Sequence, residues 1–171
     1  MSNTTKNNNL TLEQQRFLQR KRIIREVVHL AVFAAAWIKA EDFCYSDAYR
    51  RKQCLGSLRE ILGGPDGFGW LQEEINGRMD GILERLPDDL GILRPEELLV
   101  FSHSAAGLTN DLSARLMGLS GPGAASCIRS RLRKKIIESE SPNIDEYLVL
   151  LPKKGCRFGE EMLYLHNLKF R

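Results

Sequence analysis

The sequence has few cysteines and histidines, and neither type is arranged as a site. Its four cysteines include no C-x-x-C pair, and its three histidines lie far apart in the chain. Zinc centres and redox pairs need such residues at short, regular spacing, so we expect neither here. We interpret the cysteines as reduced, because disulfides are rare in cytosolic proteins.

Catalytic and phosphate-binding motifs are also missing. There is no G-x-S-x-G segment and no metal-binding histidine pair. The glycine-rich stretch 63–67 lacks the Gly-Lys-Ser/Thr ending of a P-loop. His29, His103 and His166 each fit a core or hydrogen-bonded position better than a catalytic one. We therefore expect a protein that is not an enzyme, with no catalytic residue, metal, cofactor or small-molecule ligand.

Long apolar runs are absent as well. The run 27–38 is too short to span a bilayer and contains His29. The first ten residues, MSNTTKNNNL, lack the apolar core of a signal peptide. We expect a cytoplasmic protein that does not enter membranes.

The net charge of +3 is too small to indicate nucleic-acid binding, so the distribution of charge matters more than its sum.

What the sequence does contain is helical periodicity, which predicts an all-α protein. We divide it into a disordered N-terminus (1–9), a helical scaffold or dimerisation region (10–92), a helix-turn-helix module (93–152) and a C-terminal tail that docks on the body (153–171). In the scaffold we expect one helix over 12–40, a second from about 47, and a third from about 68 to 86. Pro87, Asp88 and Asp89 are expected to break the chain after the third helix.

The helix over 12–40 has apolar stripes on two neighbouring sides. Such a helix needs burial from more than one direction, so it is central in a bundle or pairs with a second subunit. Its first half also carries several cations. These form either a second phosphate-binding surface or, as we favour, a solvated helix face; they are Arg16, Arg20, Lys21, Arg22 and Arg25.

Local signals divide 93–120 into two helices. Pro95 followed by two glutamates is typical of a helix start, because proline has no amide N–H to leave unpaired and carboxylates suit that end of the helix dipole. Gly107 is expected to end this helix, and Thr109 or Asn110 to cap the next.

The third helix of the module, 120–136, has the densest run of positive charge in the sequence. Ala125, Ile128, Leu132 and Ile136 form its apolar stripe. Residues 129–135 include three arginines and two lysines with no acidic residue. Five like charges over two turns repel one another, which favours an anionic partner such as a phosphate backbone. The predicted DNA-binding residues are Ser126, Arg129, Ser130, Arg131, Arg133, Lys134 and Lys135.

These residues resemble a known family. The segment GLTNDLSARLMGLS at 107–120 resembles the middle of a LuxR/GerE-type helix-turn-helix, and LRPEELLVFSHSAAG at 93–107 resembles the helix before it. The larger arrangement is similar to the cytoplasmic C-terminal ends of some bacterial tetratricopeptide-type regulators. The resemblance implies a four-helix module whose third helix enters the DNA major groove. It also implies that the fourth helix, near 143–151, supports dimerisation.

Two departures from that family pattern weaken base recognition. Ser113 stands where the family usually has a branched aliphatic core residue. Gly123, Ala124, Ala125 and Ser126 stand where family members place side chains that reach base edges. Such short side chains cannot make the bidentate contacts that distinguish bases. We therefore expect phosphate contacts to position the protein with weak direct base readout.

Two functions follow from these observations. The first is a DNA-binding transcription regulator that forms a homodimer through the helix 12–40 or the helix 143–151. The alternative is a helical protein-interaction module, a dimerisation or adaptor unit that keeps the fold without binding DNA. The small residues that open the third helix and the acidic residues that follow it favour the alternative; the latter are Glu138, Glu140, Asp145 and Glu146.

Overall fold

The computed structural model describes residues 11–40 and 47–153, with side chains described for 11–28, 48, 49 and 52–153. The described residues are helical and contain no β-strand, which confirms the all-α prediction. The predicted disorder at 1–9 and the predicted docking of the tail from 154 onward lie outside the described residues. Within the described ranges, none of the helices combines the length and apolar character needed to cross a membrane.

Eight helices follow one another along the described chain. They are α1 (Leu12–Ala40), α2 (Asp47–Leu62), α3 (Trp70–Arg78), α4 (Ile82–Leu90), α5 (Pro95–Ala105), α6 (Asn110–Met117), α7 (Pro122–Glu138) and α8 (Ile144–Leu150). A capping box begins α1: the amide of Thr11 donates to Gln14 Oε1, and the amide of Gln14 donates to Thr11 Oγ1.

The single helix predicted over 68–86 is wrong, because two helices, α3 and α4, occupy this stretch. Asp80 and Gly81 adopt left-handed backbone conformations, with φ of 54° and 71°, which end one helix and redirect the chain. The Asn76 side chain spans the break by accepting a hydrogen bond from the amide of Leu83.

The break predicted at 87–89 is also wrong. The helix α4 continues through Pro87 to Leu90, although an interior proline removes a helical hydrogen bond and crowds the preceding turn.

One apolar core joins the scaffold region to the helices after residue 93. Val28, Leu62, Phe101, Leu116 and Tyr147 are all fully buried in the same cluster. These residues come from α1, α2, α5, α6 and α8. The hydrophobic stabilisation of α5 to α8 therefore depends on burial against the scaffold helices.

The helix α8 is enclosed within the chain. Its residues Tyr147, Leu148, Val149 and Leu150 are buried. Asp89 at the end of α4 helps to place it, because its Oδ2 accepts hydrogen bonds from Ser141, Asn143 and Tyr147 at 2.6, 2.9 and 2.5 Å. These donors lower the pKa of Asp89, with Ser141 having the largest effect. Because these apolar residues face the core, a second copy at α8 would have to contact its more polar side, and dimerisation through this helix stays a prediction.

The basic half of α1 does not form one solvated face, so that interpretation was wrong for Lys21. Lys21 is fully buried, and its Nζ donates to the carbonyl of Val149 at 2.5 Å. A lysine can do this because its stem packs as a hydrocarbon while the ammonium reaches a helix C-terminal carbonyl. Arg20 and Arg22 instead pair on the surface with Asp80 and Glu26.

Replacing Leu62 with alanine should destabilise both regions together, because Leu62 lies in the shared core. We expect the free energy of unfolding to fall by about 2–5 kcal/mol. Ile92→Ala is the matched control, since Ile92 is 96% exposed and its truncation should change stability by less than about 0.5 kcal/mol. Urea unfolding followed by circular dichroism measures both. A wild-type stability for Leu62→Ala, or two separate transitions in the parent chain, would contradict the shared core.

Candidate nucleic-acid interface

The corner between α6 and α7 is built by local signals that the sequence contains. Thr109 caps α6, its Oγ1 accepting from the amide of Leu112 at 3.2 Å. Gly107, which follows α5, and Gly118, which ends α6, both have positive φ, 77° and 67°. Glycine adopts this conformation without steric cost, so the chain turns sharply at each point. The predicted helix end at Gly107 and cap at Thr109 are confirmed.

One side of α7 faces the core and the other faces solvent. Ala125, Ile128, Leu132 and Ile136 are buried, as the stripe predicted. The opposite side presents Gly123, Cys127, Ser130, Arg131 and Lys134, all exposed. We call these five residues the outer face of α7. The half-buried Ser126 borders it, and an open groove of about 700 Å³ runs from there to Asn110 of α6.

Two of the five predicted cations turn inward toward the end of α8. The Arg129 guanidinium donates to the carbonyl of Pro152 at 2.5 Å and to the side-chain oxygen of Asn110 at 3.3 Å. The Arg133 guanidinium donates to the carbonyl of Leu151 at 2.6 Å. Both arginines are half-buried. Both carbonyl acceptors come just after Leu150, the last residue of α8, at the helix end where the dipole favours cations.

A third cation, Lys135, joins α7 to the start of α5. Its Nζ lies 2.9 Å from Glu97 Oε2, and the Glu97 side chain is only 7% exposed. The same oxygen accepts from the amide of Arg94 at 2.9 Å. Burial raises the pKa of Glu97, but these two partners more than offset it, so that the pKa is lowered overall. Lys135 therefore compensates a buried carboxylate.

The predicted seven-residue surface is thus divided between two environments. Ser130, Arg131 and Lys134 lie on the outer face of α7, with Ser126 at its border. Arg129, Arg133 and Lys135 are held by contacts within the chain. Lys134 lies 3.6 Å from Glu138, but both side chains are more than 60% exposed and such a pair contributes little. Five cations in seven helical residues must spread around the helix, which is why one surface cannot hold them all.

A buried polar connection between α5, α6 and α2 was not expected from the sequence. His103 is 1% exposed, which confirms it as a core histidine. Its Nε2 lies 2.9 Å from the carbonyl of Leu62, and its Nδ1 lies 2.9 Å from Ser113 Oγ. A carbonyl can only accept, so Nε2 carries the proton and Nδ1 accepts from the Ser113 hydroxyl. Ser113, the departure from the family pattern, is therefore the partner of His103.

Arg59 of α2 was also missed, because it has the sequence pattern of an ordinary exposed helix cation. Its Nε donates to the carbonyl of Leu116 at 2.7 Å, and its terminal guanidinium nitrogen donates to the carbonyl of Arg115 at 3.1 Å. Both acceptors belong to the last turn of α6. No pattern of residue spacing could have identified acceptors 56 and 57 positions away.

The burial of His103 predicts a pH-dependent stability. Burial lowers the pKa of His103 from 6.5 to about 4, although its backbone partner favours the charged form. Between pH 6.5 and 4 the unfolded chain therefore binds a proton that the folded chain does not. Stability should then fall as the pH drops through this range, by up to about 3 kcal/mol, and stay constant above pH 7.

Urea unfolding between pH 4.5 and 7.5, compared with the variant His103→Gln, measures this effect. Glutamine does not titrate, so the variant should lose most of the slope between pH 5 and 6.5. Carboxylates such as Asp89 and Glu97 contribute in both proteins, and the difference between the two profiles removes their contribution. Identical slopes would contradict the assignment to His103.

Comparison with known proteins gives no match: no family model, curated protein or solved structure matches this chain. The LuxR/GerE-type module stays a prediction that depends on residues 93–120. The described residues establish an all-helical fold and a helix pair, α6 and α7. The two helices are joined through Gly118, whose backbone is left-handed.

Proposed function

We propose that this chain is a transcription regulator that binds double-stranded DNA through the outer face of α7. The observation that carries the proposal is that this face combines positive charge with small side chains. Arg131 and Lys134 project from it, and the neighbouring positions are the small residues Gly123, Cys127 and Ser130. Small residues let the backbone of α7 lie close to a partner, and the neighbouring cations can contact phosphates. Both features suit DNA, which is a polyanion with a deep groove.

Small residues at the start of α7 limit the kind of recognition. Gly123 and Ser126 allow the helix to lie close to base edges, but they offer at most one hydroxyl for hydrogen bonding. Bidentate contacts to guanine or adenine need Arg, Lys, Asn or Gln. Arg131, about two turns into the helix, is the long donor on this face nearest to the small residues. We therefore expect most of the affinity to come from phosphate contacts, with modest sequence preference.

The three cations of α7 that contact partners within the chain stabilise the fold in this proposal and do not contact DNA. Arg129 and Arg133 hold the end of α8, and Lys135 holds Glu97, so each stabilises the helices that carry α7. Because their donors are directed at partners within the chain, they do not add to the count of phosphate contacts. The basic run 129–135 therefore contributes two phosphate contacts, not five.

A dimer would place two copies of α7 in successive major grooves, about one helical turn of DNA apart. Since α8 is enclosed, α1 is the dimer surface that we propose. Leu12 and Ile23 are exposed apolar side chains on α1, 62% and 36% accessible. Their exposure supports a second copy at this helix, and light scattering after size-exclusion chromatography measures whether one binds.

The salt dependence of duplex binding separates outward from inward cations. Removing a phosphate contact should reduce the slope of log K against log salt by about 1, so Arg131→Ala and Lys134→Ala should each do so. Arg129→Ala and Arg133→Ala should leave the slope unchanged and lower the free energy of unfolding instead. Fluorescence anisotropy with a mixed-sequence duplex measures the slopes. Salt-independent binding, or none at low salt, would refute the proposal.

Chemical blocking of Cys127 tests the same face independently. Cys127 is exposed on the outer face of α7, whereas Cys54 is half-buried on α2. In a chain with Cys44, Cys54 and Cys156 changed to serine, a bulky maleimide at Cys127 should abolish duplex binding by steric exclusion. Cys127→Ser should bind normally and resist the reagent. Undiminished binding after complete labelling would show that DNA does not approach this face.

The alternative is a helical protein-interaction module, and one observation favours it. Ile137 is 54% exposed, one turn beyond Lys134 on the same side of α7, which makes that end of the helix partly apolar. Together with the inward cations, this suits a protein partner better than DNA. Dimerisation or partner binding that is lost in Ile137→Asp, without any duplex affinity in the parent chain, would identify this function.

A further inference from the structure

The last turn of α2 contacts α6, the first helix of the α6–α7 pair. Arg59 donates two hydrogen bonds to carbonyls in the last turn of α6, at Arg115 and Leu116. The turn that leads into α7 begins immediately afterwards, at Gly118. The guanidinium therefore holds α6 at the point from which the direction of α7 is set.

A second connection joins the same two helices. The carbonyl of Leu62, the last residue of α2, accepts from His103, whose other ring nitrogen accepts from Ser113 in the middle of α6. Gly64 follows two residues later, and its backbone approaches α6 closely. A Cβ added at Gly64 would lie 3.1 Å from the carbonyl oxygen of Leu116 and 2.9 Å from Arg59 Cγ. Arg59, Leu62 and Gly64 together form what we call the α2–α6 contact.

The other helix of the pair, α7, is held against α6. Arg129 of α7 donates to Asn110 at the start of α6, and α7 packs along α6 over much of its length. A shift of α2 must therefore be followed by α6 and, through it, by the outer face of α7, because close-packed helices transmit displacement. The Arg59, Leu62 and Gly64 contact with α6 is therefore one mechanical link between the scaffold and the outer face of α7, in addition to the shared apolar core.

We propose that Arg59 is a positioning residue through which the scaffold sets the orientation of α6 and α7 on DNA. The inference rests on the proposed function, and it adds that DNA affinity is controlled from α2. Arg59 is directed at α6 carbonyls, so it acts through the helix pair and does not neutralise a phosphate. A partner or second copy that shifts α1 and α2 would change affinity through this contact.

Three variants test the α2–α6 contact. Arg59→Ala removes both hydrogen bonds, and Arg59→Lys retains a single donor without the planar fork. Gly64→Ala crowds the same contact without removing a charge, because the added Cβ would lie 2.9 Å from Arg59 Cγ and 3.1 Å from the Leu116 carbonyl oxygen. Arg78→Ala is the matched control, because Arg78 is an exposed helix arginine that pairs with Glu74 within α3.

Duplex affinity is measured against salt for the full chain, together with amide hydrogen exchange in the absence of DNA. We expect Arg59→Ala and Gly64→Ala to bind about tenfold more weakly at fixed salt with an unchanged salt slope. Amides of 116–119 should exchange faster in both variants. Arg59→Lys should be intermediate, and Arg78→Ala should match the parent in all three measurements.

Different outcomes overturn different statements. A salt slope reduced by about 1 in Arg59→Ala would make Arg59 a phosphate contact and refute its positioning role. Unchanged affinity in Arg59→Ala and Gly64→Ala would also refute it, even with faster exchange, while leaving the proposed function intact. Absence of duplex binding by the parent chain at low salt would refute the proposed function, and this inference with it.

Discussion

The pairing of cationic side chains with carbonyls at helix C-termini fixes how the helices of this structure lie against one another. Each helix leaves its last carbonyls without intrahelical partners, and its dipole makes that end negative. Here side chains from remote helices fill this need: Arg59 at the end of α6 and Lys21 at the end of α8. Because each donor and acceptor lie far apart in sequence, every such bond also fixes the position of one helix relative to another.

The same interaction changes what the basic composition means. A run of five cations looks like a polyanion-binding surface when only the sequence is considered. In the fold, Arg129 and Arg133 join Lys21 around the end of α8, and Lys135 neutralises the buried Glu97. Most of this charge stabilises the protein itself. What remains for a partner is a narrow face with two cations, small residues and an open groove beside it.

The arrangement also removes the independence expected of a helix-turn-helix module. The core crosses residue 93, and the α2–α6 contact joins the scaffold to the helix pair by an arginine fork and a buried histidine. A polar group buried as deeply as His103 is costly unless its hydrogen bonds are satisfied, so its geometry is more restrictive than apolar packing alone. Under the function that we propose, these bonds would let the scaffold influence the orientation of α6 and α7.

The sequence by itself determined the helices whose ends carry local chemistry. Pro95, Gly107 and Thr109 each act within one turn of their own position, and the stripe from Ala125 to Ile136 depends only on helical period. Tertiary structure alone decided the rest. It buried Lys21, divided the basic run, and paired His103 with Ser113. Periodicity identifies which residues share a face, but it does not identify which carbonyl from a distant helix will lie opposite that face.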